Sequence, residues 1–272
     1  MINKYHPDLV YFDDSVLPFW PINDTGLKVV SHYYNQNMKL HKGNLNAVVF
    51  GKKLEAKHKE AIVWDVEKGV PSECQDKAWQ TCSCLGTWHY NRSAYEDNWY
   101  KSAETVIHML IDIVSKNGNL LLSVPMKGNG TIDDKEEKIL EDIAAWMEVN
   151  GEGIFDTRPW CIYGEGPSTE TAIPLDGAGF NEGKNAPYTS ADIRFVKKGK
   201  YLYAHIMKWP SDGKIQIKSL ATSPYCKGEI EKVELLGGGK AKFRRTSKGL
   251  LIDLPKDKTP NPISLVLKIT NR

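Results

Sequence analysis

The chain has 272 residues, of which 36 are Lys or Arg, 34 are Asp or Glu, 41% are hydrophobic and 10% are aromatic. This length suffices for one or two domains with a real core, and a net charge near +2 excludes a strongly basic nucleic-acid binder. No apolar run is long enough for a membrane span, residues 1–4 do not resemble a signal peptide, and five cysteines are too few for a disulfide scaffold. These numbers favour a folded globular protein such as an enzyme.

The first 160 residues alternate short apolar runs with amphipathic segments, a pattern typical of βα units in a mostly parallel sheet. Strands are predicted over 8–12, 46–50 and 62–66, and a fourth of mixed composition over 79–85. A helix is predicted from Leu27 to Leu40, because its apolar residues recur on one face.

Two more helices are predicted around a buried strand over 120–124. Ser102 has the chemistry of an N-cap for the first of these helices, which should end at Asn117-Gly118. Thr131 is expected to open the second helix, with Asp134 three residues later completing the cap.

After about residue 160 the rhythm changes to short strands separated by Gly and Pro, which predicts an antiparallel β-sandwich. We therefore expect a first domain over residues 1–158 and a β domain over 159–272. The first domain offers about half the strands of an eight-stranded α/β barrel. Either it is a smaller α/β fold or the sequence begins within the domain. Strands of the second domain are predicted over 201–207, 215–220, 233–236, 250–254 and 264–269.

Acidic residues stand at the ends of two predicted parallel strands. Asp13 follows the first strand and Glu67 follows the third. In α/β folds this edge of the sheet carries the active site, and two carboxylates facing one cleft are the groups that hydrolyse glycosidic bonds. Nearby tryptophans and tyrosines are compatible with packing against a sugar. The same acids would also serve to start turns or cap helices, so position alone leaves both readings open.

Several segments resemble, in order, motifs of the α-L-fucosidases of glycoside hydrolase family 29. Residues 5–13, YHPDLVYFD, are similar to the family's nucleophile strand, and residues 64–69, WDVEKG, to its acid/base loop. Further similar segments are WQTC at 79–82, WHYN at 88–91, YKSAE at 100–104, SKNGNLLL at 115–122 and VNGEGIF at 149–155.

The resemblance implies a retaining exo-α-L-fucosidase with a partial (β/α)8-like (TIM-type) barrel followed by an antiparallel β-sandwich. Asp13 would be the nucleophile and Glu67 the acid/base, with Glu73 as the rival because that loop varies in length. The implied substrate is a fucosylated oligosaccharide or glycoconjugate. No metal, cofactor, nucleic acid or membrane is implied.

The sequence also departs from the family pattern. Tyr11 stands where the family usually has Trp, and Lys52 lies in the segment where many members have Asn-Asp-Arg. Together with Trp88 and His89, these two residues are the predicted sugar contacts. Export to a periplasm, a lysosome or the cell exterior would suit the family, and the compartment stays open.

The family's N-terminal half-barrel has no counterpart before Tyr5, so the resemblance extends only to the C-terminal part of a fucosidase. The alternative function is therefore a non-catalytic fragment or carbohydrate-binding partner that needs a separate N-terminal half. Exposed half-barrel edges would favour self-association or complementation by that half.

Overall fold

The computed structural model describes residues 1–13, 17, 19–175, 180–222, 228–255 and 260–271. Its helices are α1 Ile2–Tyr5, α2 Thr25–Leu40, α3 Arg92–Glu96, α4 Ala103–Ser115, α5 Asp134–Asn150 and α6 Pro167–Glu170. Its strands are β1 Leu9–Phe12, β2 Val48–Gly51, β3 Val63–Glu67, β4 Trp79–Cys84, β5 Gly118–Ser123, β6 Arg158–Glu165, β7 Ile193–Lys198, β8 Tyr201–Ile206, β9 Lys214–Ile217, β10 Ile230–Leu235, β11 Gly239–Lys240, β12 Lys242–Thr246, β13 Gly249–Asp253 and β14 Leu265–Asn271.

The first five strands form one parallel sheet in the order β1-β2-β3-β4-β5. This sheet curls through 192°, so it is half of a barrel. Its outer face is apolar, and Val10 and Phe12 of β1 pack with Val30 and Tyr33 of α2. The alternation of side chains along each strand leaves the opposite set of residues on the inner face.

The remaining strands form an antiparallel sandwich of a six-stranded sheet, β11-β10-β14-β8-β7-β6, and a three-stranded sheet, β12-β13-β9. Their core includes Phe195 and Leu267 from the larger sheet and Ile217 and Ile252 from the smaller one. The predicted fold, a partial α/β barrel followed by a β-sandwich, is confirmed.

The second face of the six-stranded sheet packs against the barrel helices. Val196 and Tyr203 share a buried cluster with Ile107 of α4 and Trp146 of α5. The larger sheet is therefore apolar on both faces, because it serves the sandwich core on one side and the half-barrel on the other.

Three local predictions need correction. The helix expected to open at Thr131 begins at Asp134, because the side chain of Asp133 accepts the backbone N–H of Glu136 and caps it. Thr131 instead donates its backbone N–H to the side chain of Asn129 in a preceding turn. The strand expected over 215–220 ends at Ile217 and continues as a 3₁₀ turn. Glu67 is the last residue of β3, not the residue after it.

Candidate active site

The C-terminal edge of the half-barrel brings four of the predicted site residues together. Tyr11 is on β1 and Asp13 follows it, Lys52 follows β2, and Glu67 ends β3. These three strands are neighbours in parallel register, so their C-terminal ends meet at one edge. In barrel enzymes this is the edge that carries catalysis.

Lys52 lies at the centre of this group. Its Nζ donates to Asp13 Oδ1 over 2.7 Å and also donates to Glu67 Oε2. Burial lowers the pKa of Lys52, but the hydrogen bonds to Asp13 and Glu67 outweigh burial and hold that pKa above its ordinary value. The ammonium is therefore charged throughout the neutral range and partly neutralises two carboxylates.

The two candidate catalytic carboxylates differ in their access to solvent. The Asp13 side chain is 71% exposed, whereas that of Glu67 is 18% exposed. Because one ammonium contacts both, an oxygen of Asp13 and an oxygen of Glu67 lie within two hydrogen-bond lengths of each other. Retaining glycosidases place their two carboxyl groups about 5–5.5 Å apart, a separation that this close pairing permits.

A third carboxylate, Asp65, lies beneath this pair and was not among the predicted site residues. Its Oδ2 accepts from the Tyr11 hydroxyl over 2.9 Å, and its Oδ1 accepts from Gln80 Nε2 over 2.7 Å. The Tyr11 hydroxyl also lies 3.3 Å from Asp13 Oδ1. Burial raises the pKa of Asp65, although hydrogen bonds from Gln80 and Tyr11 oppose the rise. Burial, followed by the hydrogen bond to Asp65, also raises the pKa of Tyr11.

The alternation of β3 would have indicated Asp65. Asp65 and Glu67 are two residues apart on one strand, so both side chains point to the inner face. The sequence prediction considered only acids at strand ends, and therefore passed over an acid one step earlier on the same face.

Cys82 on β4 completes the cluster. Its Sγ lies 3.1 Å from Glu67 Oε2 and 3.4 Å from Asp65 Oδ2. Burial, the charge of Asp65 and the hydrogen bond to Glu67 raise the pKa of Cys82 to about 12. The thiol is therefore protonated at neutral pH and acts as a weak donor to the carboxylates.

Trp88 and His89 lie on the loop after β4, and both are exposed. The Trp88 ring is 4.9 Å from Lys68 Nζ, and Lys68 directly follows Glu67. Trp88 therefore borders the cluster through Lys68. Among the described residues, neither the Trp88 nor the His89 side chain hydrogen-bonds to a carboxylate of the cluster.

Glu73, the rival acid/base, is exposed and lies in the segment that returns to the start of β4. Two residues further on, the Gln75 N–H donates to the Lys116 carbonyl and the Gln75 carbonyl accepts from Asn117. Lys116 and Asn117 immediately precede β5, so Glu73 lies toward the opposite edge of the sheet from Asp13.

Within the residues that the structure describes, no group of three or more His, Cys, Asp or Glu side chains is arranged to hold a metal ion. Lys52 already fills the position between carboxylates that a cation would take. Among the same residues, every helix is too short or too polar to traverse a lipid bilayer.

The sequence profile of the family described as alpha-L-fucosidase matches residues 1–152, and that of the alpha-L-fucosidase C-terminal domain matches residues 186–270. The chain belongs to the α-L-fucosidase family. It is 24% identical over 290 residues to the tissue α-L-fucosidase of Macaca fascicularis, covering 99% of this chain and 53% of that protein. It is 27% identical over 277 residues to the plasma α-L-fucosidase of Rattus norvegicus, covering 94% of this chain and 50% of that protein.

Solved structures of fucosidases share the fold. The α-fucosidase of Thermotoga maritima matches with a TM-score of 0.69 at 24% identity, covering 99% of this chain and 54% of that one. Isoenzyme 1 of Paenibacillus thiaminolyticus matches with a TM-score of 0.68 at 21% identity, covering 97% and 58% respectively. The chain thus spans about half the length of the fucosidases it matches.

Proposed function

We propose that this chain carries the two reacting carboxylates of a retaining exo-α-L-fucosidase, with Asp13 as nucleophile and Glu67 as acid/base. The observation that carries the proposal is the pairing of both carboxylates on the Lys52 ammonium at the C-terminal edge of the sheet. Glu73 is the weaker candidate, since it lies toward the other edge.

The chemistry takes two displacements. In the first, a carboxylate oxygen of Asp13 attacks the anomeric carbon of fucose, the bond to the leaving oxygen breaks, and Glu67 gives that oxygen its proton. In the second, water attacks the same carbon, Glu67 takes a proton from the water, and the ester bond to Asp13 breaks. Fucose leaves with its original anomeric configuration, and both carboxyl groups return to their starting states.

The exposure of the two carboxylates supports these roles. Asp13 is the exposed member of the pair, so a sugar can reach it. Glu67 is mostly covered and contacts the Cys82 thiol. We propose that Tyr11 and Lys52 line the sugar site and that Trp88 and His89 extend it, with the exposed Trp88 ring offering an apolar face to sugar C–H groups.

Structural relatives support the same reaction. The T. maritima enzyme has been solved with fucose and with a mechanism-based inhibitor. A Bacteroides thetaiotaomicron fucosidase was trapped as a covalent intermediate with 2-fluoro-fucosyl fluoride in a Glu-to-Gln mutant. A covalent intermediate is what double displacement requires.

The test is hydrolysis of an aryl α-L-fucoside by the purified chain, compared with Asp13→Ala. Asp8→Ala is the matched control, because Asp8 is an exposed acid at the opposite end of the same strand. We expect turnover that Asp13→Ala abolishes and Asp8→Ala preserves, and a mass adduct on Asp13 after incubation with 2-fluoro-fucosyl fluoride. Turnover that survives in Asp13→Ala would refute the nucleophile assignment.

The second candidate function is a non-catalytic or carbohydrate-binding part that works only with a separate N-terminal half. It is favoured by the outer strands of the described sheet, β1 and β5, which each pair on one side only. Leu9 on β1 is 50% exposed and Leu121 on β5 is 46% exposed, which is typical of a surface that another chain covers. A folded chain without turnover that gains activity on addition of an N-terminal half would decide for this candidate. Light scattering would detect self-association.

A further inference from the structure

Asp65 is the most deeply buried charged group of the candidate site. It is 1% exposed and shares the inner face of β3 with Glu67. Its hydrogen bonds come from three donors on two other strands: the Tyr11 hydroxyl, the Gln80 amide and the Cys82 thiol. Two of these donors face Oδ2 and one faces Oδ1, an arrangement that suits an ionised carboxylate better than a carboxylic acid, whose O–H must itself find an acceptor.

The cation nearest to Asp65 is shared with other groups. Lys52 Nζ is 3.9 Å from Asp65 Oδ2, but it donates its shorter hydrogen bonds to Asp13 and Glu67. Burying a carboxylate whose nearest cation is shared with two other acids is unfavourable, so stability alone does not explain a charge at this position.

Through its partners, Asp65 reaches both reacting groups. The Tyr11 hydroxyl donates to Asp65 and lies 3.3 Å from Asp13 Oδ1, and the Lys52 ammonium lies between Asp65, Asp13 and Glu67. We propose that Asp65 is a positioning residue of this site: its buried carboxylate anchors Tyr11 and Lys52, which in turn hold Asp13 and Glu67 in place for double displacement. This inference rests on the proposed function, since it concerns the same two carboxylates.

If Asp65 anchors its neighbours, protonation of Asp65 should change their hydrogen bonds. When Asp65 gains a proton it loses acceptor capacity, so the Tyr11 hydroxyl must change its hydrogen bond. Because burial raises the pKa of Asp65, this change occurs above the ordinary aspartate value of 3.8. The titratable, charged and polar groups that face Asp65 are Tyr11 and Asp13 from the β1 side, Lys52 after β2, Glu67 on β3, and Gln80 and Cys82 on β4.

The first experiment reads Tyr11 directly and needs no turnover. The full chain is labelled with ¹³C at the tyrosine Cζ atoms, and the Tyr11 signal is identified by its absence in Tyr11→Phe. We expect this signal to shift during acid titration with a midpoint above 3.8, and this shift to disappear in Asp65→Asn. Tyr33, whose hydroxyl donates to the Pro7 carbonyl, is the internal control. A Tyr11 signal that behaves alike in both proteins overturns the inference.

The second experiment measures turnover as a function of pH in the preparation that hydrolyses the aryl fucoside. Asp65→Asn keeps the shape of the side chain, so we expect KM to change little and kcat to fall about 100-fold, the effect of a small misplacement of reacting groups. The acid limb of the pH profile of kcat should also move to lower pH, because Asp65, whose pKa is raised, can no longer take up a proton. Unchanged kcat and an unchanged profile would overturn the inference.

The two experiments separate this inference from the proposed function. If the Tyr11 signal follows Asp65 but no preparation hydrolyses fucosides, the proposed function fails and the anchoring of Tyr11 stands. If fucosides are hydrolysed and Tyr11 does not follow Asp65, the proposed function stands and the positioning role fails. Asp112→Asn, which removes another buried carboxylate, on α4, should leave the Tyr11 titration intact.

Discussion

Two ionic clusters in this molecule have opposite charge balance. The site cluster consists of Asp13, Asp65 and Glu67 around the single ammonium of Lys52. The interdomain cluster has one acid between two bases. In it, Asp112 of α4 is 2.9 Å from Lys116 Nζ and 2.6 Å from Arg194 Nε on β7, and all three residues are buried.

The two clusters shift the pKa of their buried carboxylates in opposite directions. Burial alone would raise the pKa of Asp112, but the charges of Lys116 and Arg194 outweigh burial and lower it. The pKa of Asp65 is raised instead, because burial is only partly offset by its neutral hydrogen-bond donors and by the shared charge of Lys52. The interdomain cluster, in which two cations balance one acid, joins the half-barrel to the sandwich. The site cluster, in which three acids share one cation, keeps groups that can change protonation at the edge of a cleft. Perturbed groups of the second kind are typical of functional sites.

The largest effect should come from removing the proton donor of the site cluster. We expect Glu67→Gln to lower kcat/KM for an oligosaccharide fucoside about 1,000-fold, since general acid catalysis contributes about 100- to 10,000-fold. An aryl fucoside with a good leaving group should lose less. Glu73→Gln is the control, and steady-state kinetics on both substrates is the measurement. A larger loss in Glu73→Gln than in Glu67→Gln would reverse the assignment.

Substitution in the interdomain cluster should change the free energy of unfolding instead of the activity. Asp112→Asn leaves Lys116 and Arg194 buried without their acid, so we expect a loss of about 3 kcal/mol in the free energy of unfolding. Asp65→Asn removes an uncompensated charge, and the Tyr11 hydroxyl can turn to accept from the new amide. Its stability should therefore equal or exceed that of the unmodified chain. Urea unfolding at neutral pH compares the two variants, and equal losses would remove the distinction between the clusters.

The sequence predicted the site cluster better than the interdomain one because of where its residues stand. Asp13 ends a strand in a family motif, and the acidic Glu67 lies at the matching end of a neighbouring strand, so strand order and parallel register are enough to bring them together. Asp65 was missed because a mid-strand acid reads as an ordinary polar residue until the strand's inner face is known.

The interdomain cluster could not be predicted in the same way. Asp112 lies within an apolar helical pattern and Arg194 lies on a strand, β7, that was not predicted. Their contact depends on how the six-stranded sheet docks against α4, which no local pattern of residues encodes. The start of α5 was misplaced for a local reason: a preceding turn uses Thr131, so Asp133 is the cap and the helix begins at Asp134.

Substitutions of Lys52 test whether catalysis needs a cation beside the three carboxylates of the site cluster. We expect Lys52→Met to lower kcat/KM about 100-fold, because three carboxylates would then face one another without a cation. Lys52→Arg should recover part of the activity, since it restores the charge with a different geometry. The matched control is Lys53→Met, because Lys53 is the exposed neighbour in sequence. Equal activity in Lys52→Met and Lys53→Met would show that the ammonium has no catalytic part.

The smallest effect should be a difference in how the two clusters respond to acid. A carboxyl group whose pKa is raised by folding favours the folded state at low pH and loses that contribution as pH rises through the raised value. Asp65 is of this kind. Asp112 has a lowered pKa, so its contribution is present above the ordinary value of 3.8 and is lost as pH falls below it. Relative to the unmodified chain, Asp65→Asn should thus gain stability as pH rises from 3.8, whereas the deficit of Asp112→Asn should shrink as pH falls below that value. Urea unfolding across the acid range would detect both slopes, and slopes of the same sign would mean that the two clusters are electrostatically alike.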